Sequence, residues 1–532
     1  MADTNVPADL RAEARFTRRV GAFTFGTILS RITGVVRESV FAYLFGAGLA
    51  TDAFNVAFRI PNFLRDLFAE SALSAAFVPT FVTSLRSEDR EDAWRFAANM
   101  LNTLLVVTTV VVILGMLLSP QIVRVIAWGF GREPGKLELT SLLTRIMFPF
   151  LLFVALAAWA MGILNACGTF FTSAVAPVAF NLVSALVPFI TFAGLRARGV
   201  DPIVGMAWGV VIGAVAQLAV QLPGLFRHGF RYRPLLSFAD PRLRQVFLRW
   251  LPVVLGLASW QVMFLVNTFL MSFLPQGAVT WIFYAYRLQH LPAGLFGVAI
   301  GSVAIAEYSH LAAAGVEQVR SRFRHAMSLV AVLTLPAALL LMALAVPVVR
   351  LVYQHGRFTP LDTAQTAQAL SLYCLGIWAA AATRNCAAGF YSLGDTKTPA
   401  LVATSVVVLN ILLNLVLVRF IGFRSFPLNL SLSQLANFGA LFLLLRRRTG
   451  GLEGRAILRT TLRTLLAAVI AGGVAFGLAW VVERCLTTKA IFLQLAEVLG
   501  GGAIGLVLYY WLARRFRVTE VGQALTDILH RR

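Results

Sequence analysis

Apolar stretches long enough to cross a membrane follow one another along almost the whole chain, and this feature limits the fold more than any other. Only 13% of the 532 residues are charged and 58% are hydrophobic, whereas a soluble domain carries about 25% charged residues. One helical crossing of a bilayer takes about 20 apolar residues. The sequence therefore predicts an all-α polytopic membrane protein and disfavours a water-soluble enzyme.

The hydropathy pattern predicts about fourteen transmembrane helices. They are expected at residues 17–48, 51–84, 96–121, 138–166, 171–195, 202–226, 245–274, 278–308, 325–353, 362–392, 398–420, 427–445, 461–482 and 490–513. The last two helices lie outside the repeat described next, and we interpret them as a C-terminal helix pair.

A weak internal repeat predicts two similar halves. Residues 53–60 (AFNVAFRI) align with residues 281–288 (WIFYAYRL) at an offset of 228, and an offset of 227 pairs Gly162 with Gly389. An even number of helices per half gives both halves one orientation, a parallel repeat of the kind found in alternating-access transporters. The predicted division is a polar tail at 1–16, a six-helix lobe at 17–226, a basic cytoplasmic linker at 227–244, a second six-helix lobe at 245–445, and the terminal helix pair with a basic cytoplasmic tail at 446–532.

The basic residues predict the orientation in the membrane. The formal net charge is +22, and arginines cluster in alternate loops, while the opposite loops hold scattered cations such as Lys136. Loops rich in Lys and Arg face the cytoplasm, so both termini are expected there. Contact with anionic phospholipid explains the charge without nucleic acid. The four cysteines and six histidines lack metal-ligand spacing, so we expect neither a metal site nor a catalytic one.

Charged residues interrupt the first two predicted helices. They are Arg31, Arg37, Glu38, Asp52, Arg59, Arg65, Asp66 and Glu70. A charge at the bilayer centre costs at least about 2.5–3.5 kcal/mol, so such residues normally face a cavity or a charged partner. Arg31 and Arg37 are about 1.7 turns apart, and a helix break at Gly34 would turn both inward. Alternatively, Arg37 and Glu38, or Arg65 and Asp66, neutralise each other.

The excess of arginine over acid in this region favours an anionic substrate. A guanidinium group is planar, donates two parallel hydrogen bonds and stays charged at any working pH. Several such groups in a water-filled cavity suit a phosphate or a pyrophosphate. A transporter of cationic drugs would instead use cavity carboxylates.

Four short segments of the first 80 residues closely resemble the MurJ (MviN) family of the MOP superfamily. They are residues 30–38 (SRITGVVRE), 45–54 (FGAGLATDAF), 59–65 (RIPNFLR) and 67–79 (LFAESALSAAFVP), with weaker similarity at 284–288 (YAYRL), 389–392 (GFYS) and 396–399 (TKTP). The resemblance implies two bundles around a central cavity. It also implies a flippase that moves lipid II, the undecaprenyl-pyrophosphate-linked peptidoglycan precursor, across the bacterial inner membrane, in association with the cell-wall synthesis machinery.

The resemblance also implies which residues bind the substrate. The functional arginines of the family fall on Arg31, Arg37, Arg65 and Arg287, its acidic residue falls on Asp52, and Asn62 belongs to the same motif as Arg65. Two positions differ from the family pattern, because Tyr286 and His290 stand where acids are common. His290 could therefore serve in gating or ion coupling, although a packed interior histidine would look the same.

No cofactor is expected. Asn410 and Asn414, one helical turn apart, could offer carbonyl oxygens to sodium, but the absence of a nearby carboxylate in the sequence argues against a sodium site. Two other functions stay open, namely another exporter of the same superfamily, for polysaccharide carriers or drugs, and a membrane enzyme acting on undecaprenyl-phosphate lipids. The enzyme would need acids or histidines in an exposed loop, and Asp240 and Asp362 are too isolated for that.

The orientation can be tested with reporter fusions. A green fluorescent protein fused after Arg532 should fluoresce, because the C-terminus is expected in the cytoplasm. Alkaline phosphatase fused after Arg198, in a loop expected outside, should be active. An inactive phosphatase at Arg198 together with a dark C-terminal fusion would reverse the predicted topology.

Overall fold

The computed structural model describes residues 8–67, 72–86, 90–292, 308, 316–485 and 490–522. Helices make up 87% of the structure, and these described ranges contain no β-strand. The prediction of an all-α membrane protein is confirmed. The exact number of membrane crossings and the six-helix bundles stay predictions.

The chain divides into two compact units, Met1–Phe273 and Leu274–Arg532. The helices of unit 1 are α1 (Ala8–Phe45), α2 (Leu49–Arg65), α3 (Ala72–Arg86), α4 (Arg90–Leu117), α5 (Ser119–Ile126), α6 (Lys136–Met147), α7 (Phe150–Ala166), α8 (Phe170–Ala197), α9 (Ile203–Arg227) and α10 (Pro241–Met271), with a 3₁₀ turn at Trp128–Arg132.

Unit 2 contains the remaining helices. They are α11 (described for 278–292), α12 (Val316–Ala343), α13 (Ala345–Tyr353), α14 (Pro360–Cys374), α15 (Ile377–Ser392), α16 (Lys397–Ile421), α17 (Ser425–Thr449), α18 (Gly454–Cys485) and α19 (Ile491–Arg515), with a 3₁₀ turn at Gly422–Arg424. Across the described residues of both units, eight helical segments are long and apolar enough to cross a membrane.

Several stretches that the hydropathy pattern treats as single helices are interrupted. The stretch 138–166 contains α6 and α7, which meet at Pro149. A proline has no N–H to donate to the preceding turn, and its ring clashes with that turn. The stretch 362–392 contains α14 and α15, which meet at Gly376, where a Cβ atom would lie 2.8 Å from Ser431 Cα. Hydropathy does not register these interruptions because the residues on both sides are apolar.

The basic linker is held against helix α4 by two asparagines. Asn99 forms a pair of hydrogen bonds with the backbone of Ser237, at 2.9 and 2.8 Å. Asn102 donates to the carbonyl oxygens of Arg233 and Leu235, both at 2.8 Å. These bonds satisfy backbone groups of a segment that is neither helix nor strand. The segment that follows α9 is thus fixed to unit 1.

The C-terminal helices pack on the core of unit 2. Helix α18 packs along α12 and α19 packs along α18, and the hydroxyl of Tyr509 donates to the carbonyl oxygen of Val332 at 2.9 Å. Arg350 on α13 forms ion pairs with Glu483 on α18 and with Glu497 on α19. The predicted terminal pair is therefore joined to unit 2 by both packing and charge.

Close packing between α8 and α9 depends on small residues. Gly205, Gly209 and Gly213 recur every four residues along α9. A Cβ atom on Gly209 would lie 2.9 Å from the carbonyl oxygen of Ser184 and 3.1 Å from Pro188 Cδ. Small residues at this spacing allow two membrane helices to approach closely.

Replacing Gly209 by alanine should separate α8 from α9, because the nearest obstacle is backbone. We expect Gly209→Ala to lower the free energy of unfolding by about 1–3 kcal/mol, the usual cost of overpacking. The measurement is thermal unfolding in detergent. The matched control is Gly194→Ala on α8, since a Cβ atom there meets nothing within 4 Å, and it should leave stability unchanged or raise it. Equal melting temperatures for the two variants would contradict the packing account.

Candidate functional site

Arg37 lies inside unit 1 and is neutralised by its neighbour in the sequence. Its Nη2 atom lies 2.6 Å from Glu38 Oε1, and the two side chains are only 7% and 6% exposed. Its guanidinium carbon lies 5.3 Å from the ring centre of Phe180 and 5.8 Å from that of Phe41. A buried charge is tolerated when it is paired, and aromatic rings add further attraction. The alternative of internal neutralisation therefore holds for this pair.

Arg31 has a different environment, because α1 does not break at Gly34. The helix runs without interruption from Ala8 to Phe45, so the break considered at Gly34 does not occur. Asn181 on α8 donates to the carbonyl oxygen of Ser30 at 3.0 Å and holds this turn of α1. In an intact helix Arg31 and Arg37 point in different directions, and Arg31 is exposed while Arg37 is buried.

The charged residues at the end of α2 contact α10. Arg65 pairs with Asp66 at 2.9 Å, and both side chains are about one-third exposed or less. Asp66 also accepts a hydrogen bond from Gln261 at 3.3 Å, and the Arg59 guanidinium lies 4.0 Å from the Phe264 ring centre. Asn62 is half-buried and lies one turn before Asp66. The backbone N–H of Asp66 donates to the carbonyl oxygen of Asn62. Glu70 lies outside the described residues.

Asp52, predicted to bind substrate, is part of a buried ion pair. Its Oδ2 atom lies 3.4 Å from Lys136 Nζ, and the two side chains are 0% and 1% exposed. Lys136 also pairs with Glu133 at 3.2 Å and lies over the Phe130 ring. We expected Lys136 to be a scattered loop cation, but it begins α6 and is buried. The pair joins α2 to α6 across 84 residues of sequence.

Arg287 lies on α11 in unit 2 and is half-buried. Tyr286 is the residue before it. The centre of the Tyr286 ring lies 4.2 Å from that of His290 and 5.7 Å from that of Tyr373, and both contacts are edge to face. His290 is exposed, so it is not a fully packed interior histidine. The first turn of α11 is tied to α14, because Trp281 Nε1 donates to Asp362 at 2.8 Å.

Asn410 and Asn414 belong to a buried network of amides and hydroxyls between α16 and α17. Asn410 donates to Ser433 Oγ at 2.9 Å and accepts, through its backbone carbonyl, a hydrogen bond from Asn429 at 2.6 Å. Asn414 lies 3.5 Å from the Asn410 side-chain oxygen. In the part of the chain that the structure describes, no group of three His, Cys, Asp or Glu residues is arranged to hold a metal.

Sequence reasoning missed two cations. Lys136 was assigned to a loop, and no feature of its local sequence indicates burial. The second is Arg384, which lies inside the predicted span 362–392 and is exposed on α15. The criterion used for the first two helices, a charge inside an apolar stretch, would have found Arg384.

The long apolar helices, together with arginines held inside them, define a polytopic membrane protein of the transporter class. The family model for lipid II flippase MurJ matches residues 41–497, and the chain belongs to this family. It is 35% identical over 427 residues to the probable lipid II flippase MurJ of Vibrio cholerae, covering 78% of this chain and 80% of that one. It is 34% identical over 429 residues to the lipid II flippase MurJ of Burkholderia cenocepacia, covering 79% and 82%.

Solved structures agree with this assignment. A lipid II flippase MurJ in an inward closed conformation matches with a TM-score of 0.75 at 25% identity, covering 93% of this chain and 98% of that one. An inward-facing MATE-family multidrug transporter of the MOP superfamily matches with a TM-score of 0.61 at 16% identity, covering 79% and 99%. The second match shows a shared fold alone.

Removal of the Asp52 carboxylate should destabilise the protein, because Lys136 would keep a buried charge with only the partly exposed Glu133 as partner. Breaking a buried ion pair costs about 3–5 kcal/mol, so Asp52→Asn should lower the melting temperature clearly. Glu133→Gln is the control, because in that variant Lys136 still forms its buried ion pair with Asp52. The double variant Asp52→Leu, Lys136→Met should recover most of the loss, and a melting temperature unchanged in Asp52→Asn would contradict the structural role.

Proposed function

We propose that this chain translocates lipid II from the cytoplasmic to the outer leaflet of the bacterial inner membrane, and that its intramembrane arginines bind the pyrophosphate. Membership of the lipid II flippase family and the apolar helices support a multi-pass inner-membrane flippase. The observation that carries the proposed binding mode is Arg37, a guanidinium buried inside unit 1 and paired with the adjacent carboxylate of Glu38. Both termini are proposed to lie in the cytoplasm, in keeping with the arginine-rich loops.

The ion pair between Arg37 and Glu38 would allow Arg37 to exchange the Glu38 carboxylate for an anionic substrate. A guanidinium left alone at membrane depth is costly, so an acid is needed while no substrate is bound. A diphosphate carries more charge than one carboxylate and accepts parallel hydrogen bonds from arginine. We propose that the diphosphate displaces Glu38 from Arg37, and Asp66 from Arg65. Arg31 and Arg287 stay sequence-based predictions for substrate binding. Asn62, beside Arg65, offers a neutral donor.

Release of the lipid requires a second state with a lower affinity for the anion. We propose alternating access, in which the arginines that hold the pyrophosphate move apart and the adjacent acids take them back. MATE-family transporters of the same fold have been solved in inward-facing and outward-facing conformations, which supports two states for this fold. The polyprenyl tail is proposed to stay in the lipid throughout.

The acids of unit 1 argue against export of cationic drugs. A drug antiporter needs carboxylates that a cation can reach, but Glu38 is paired with Arg37, and Asp52 with Lys136. Neither acid is available to a cation while these pairs are intact, whereas the guanidinium of Arg31 is exposed.

Substitution of Arg37 tests the proposed binding mode. Hydrogen bonds to charged groups contribute about 1.5–3 kcal/mol, so Arg37→Gln should slow lipid II translocation in proteoliposomes by about tenfold or more. Arg37→Lys should retain part of the rate, because it keeps the charge but not the paired donors. The matched control is Arg196→Gln, which replaces an exposed arginine in the last turn of α8 and should leave transport normal. Full transport by Arg37→Gln would refute the role of Arg37.

A further inference from the structure

Arg384 occupies an unusual position in unit 2. It lies in the middle of α15, a helix that packs against α12, α16 and α17. In the fully described stretch from residue 376 to residue 390, every other side chain is buried or half-buried, and Arg384 alone is exposed. Within this stretch, Arg384 is therefore the side chain that the neighbouring helices leave uncovered.

The position of Arg384 within the predicted membrane span 362–392 makes this exposure informative. Arg384 precedes Ser392, the last residue of α15, by eight residues, which corresponds to about 12 Å along a helix. The hydrocarbon core is about 30 Å thick. An arginine at that depth normally faces a polar cavity or a partner rather than lipid.

Tyr286 on α11 is a neighbour of Arg384 in unit 2. It lies near enough to the Arg384 guanidinium for an electrostatic interaction between the two side chains, and its ring contacts those of Tyr373 and His290. Arg287 is the next residue on α11.

The acids described near this helix are engaged elsewhere. Asp362, at the start of α14, accepts a hydrogen bond from Trp281. Asp395, after the end of α15, pairs with Arg448. Among the described residues, the structure gives Arg384 no carboxylate within ion-pair distance. Within the described residues, an anion at Arg384 therefore meets no competing carboxylate on this guanidinium.

We propose that Arg384 is a further anion-binding residue of unit 2, which takes an oxyanion of the transported lipid with the Tyr286 hydroxyl beside it. This inference rests on the proposed function and adds a binding residue to it. Two parts of lipid II carry suitable oxygens, namely the pyrophosphate and the carboxylates of the peptide. Both present the planar or tetrahedral oxygen pairs that a guanidinium binds with two hydrogen bonds.

The experiment measures binding of undecaprenyl pyrophosphate and of lipid II to the full-length protein in nanodiscs. Arg384→Gln should weaken binding about tenfold, and Arg384→Lys should recover most of the affinity. A loss for both lipids assigns Arg384 to the pyrophosphate, and a loss for lipid II alone assigns it to the peptide; either result supports the proposal. Arg424→Gln, an exposed arginine in the 3₁₀ turn after α16, is the control and should bind normally.

Two outcomes would overturn the proposal. The first is unchanged affinity of Arg384→Gln for both lipids, while the unsubstituted protein binds them; absence of binding by the unsubstituted protein would instead refute the proposed function.

The second concerns Glu307, which lies outside the described residues. It precedes Tyr308, whose hydroxyl donates to Asn385 at 2.8 Å. If Glu307→Gln weakens binding as much as Arg384→Gln, the arginine acts through an internal ion pair. Affinity within twofold of the unsubstituted protein in Glu307→Gln supports direct binding.

Discussion

A charge inside a membrane needs a charged partner or a polar cavity, and the paired side chains of unit 1 meet this requirement. Water is absent from the hydrocarbon core, so an unpaired guanidinium, ammonium or carboxylate there is strongly destabilising. Unit 1 contains such ion pairs, namely Arg37 with Glu38, Arg65 with Asp66, and Asp52 with Lys136. A chain that keeps costly buried charges when apolar residues would be as stable has a use for them.

The separation of the partners along the chain distinguishes two kinds of pair. In Arg37–Glu38 and Arg65–Asp66 the partners are adjacent in sequence, so either pair can open without separating two helices. Asp52 and Lys136 are 84 residues apart and join α2 to α6, so opening this pair would disturb the packing of unit 1. We therefore interpret Arg37 and Arg65, in the two adjacent pairs, as arginines that can exchange their carboxylate for an anionic substrate. We interpret the Asp52–Lys136 pair as structural.

Sequence reasoning reached the helical class and the family, because both depend on signals that lie within short segments of the chain. Apolar stretches of about 20 residues report membrane helices directly, and the first 80 residues carry a specific motif. What it missed depends on tertiary contacts. Gly34 would allow a break, but α1 is continuous there, and Asn181 on α8 donates a hydrogen bond to the Ser30 carbonyl oxygen. Lys136 is predicted to be a loop cation, but it is buried in an ion pair with Asp52. Arg384 was the avoidable omission, since an arginine within an apolar helix is visible in the sequence.

The most direct test of the central claim is an experimental structure of the protein with undecaprenyl pyrophosphate bound. The account predicts diphosphate oxygens at about 2.7–2.9 Å from the guanidinium nitrogens of Arg37, with the Glu38 carboxylate displaced from them. A diphosphate bound elsewhere, with Arg37 and Glu38 still paired at their present separation, would contradict it.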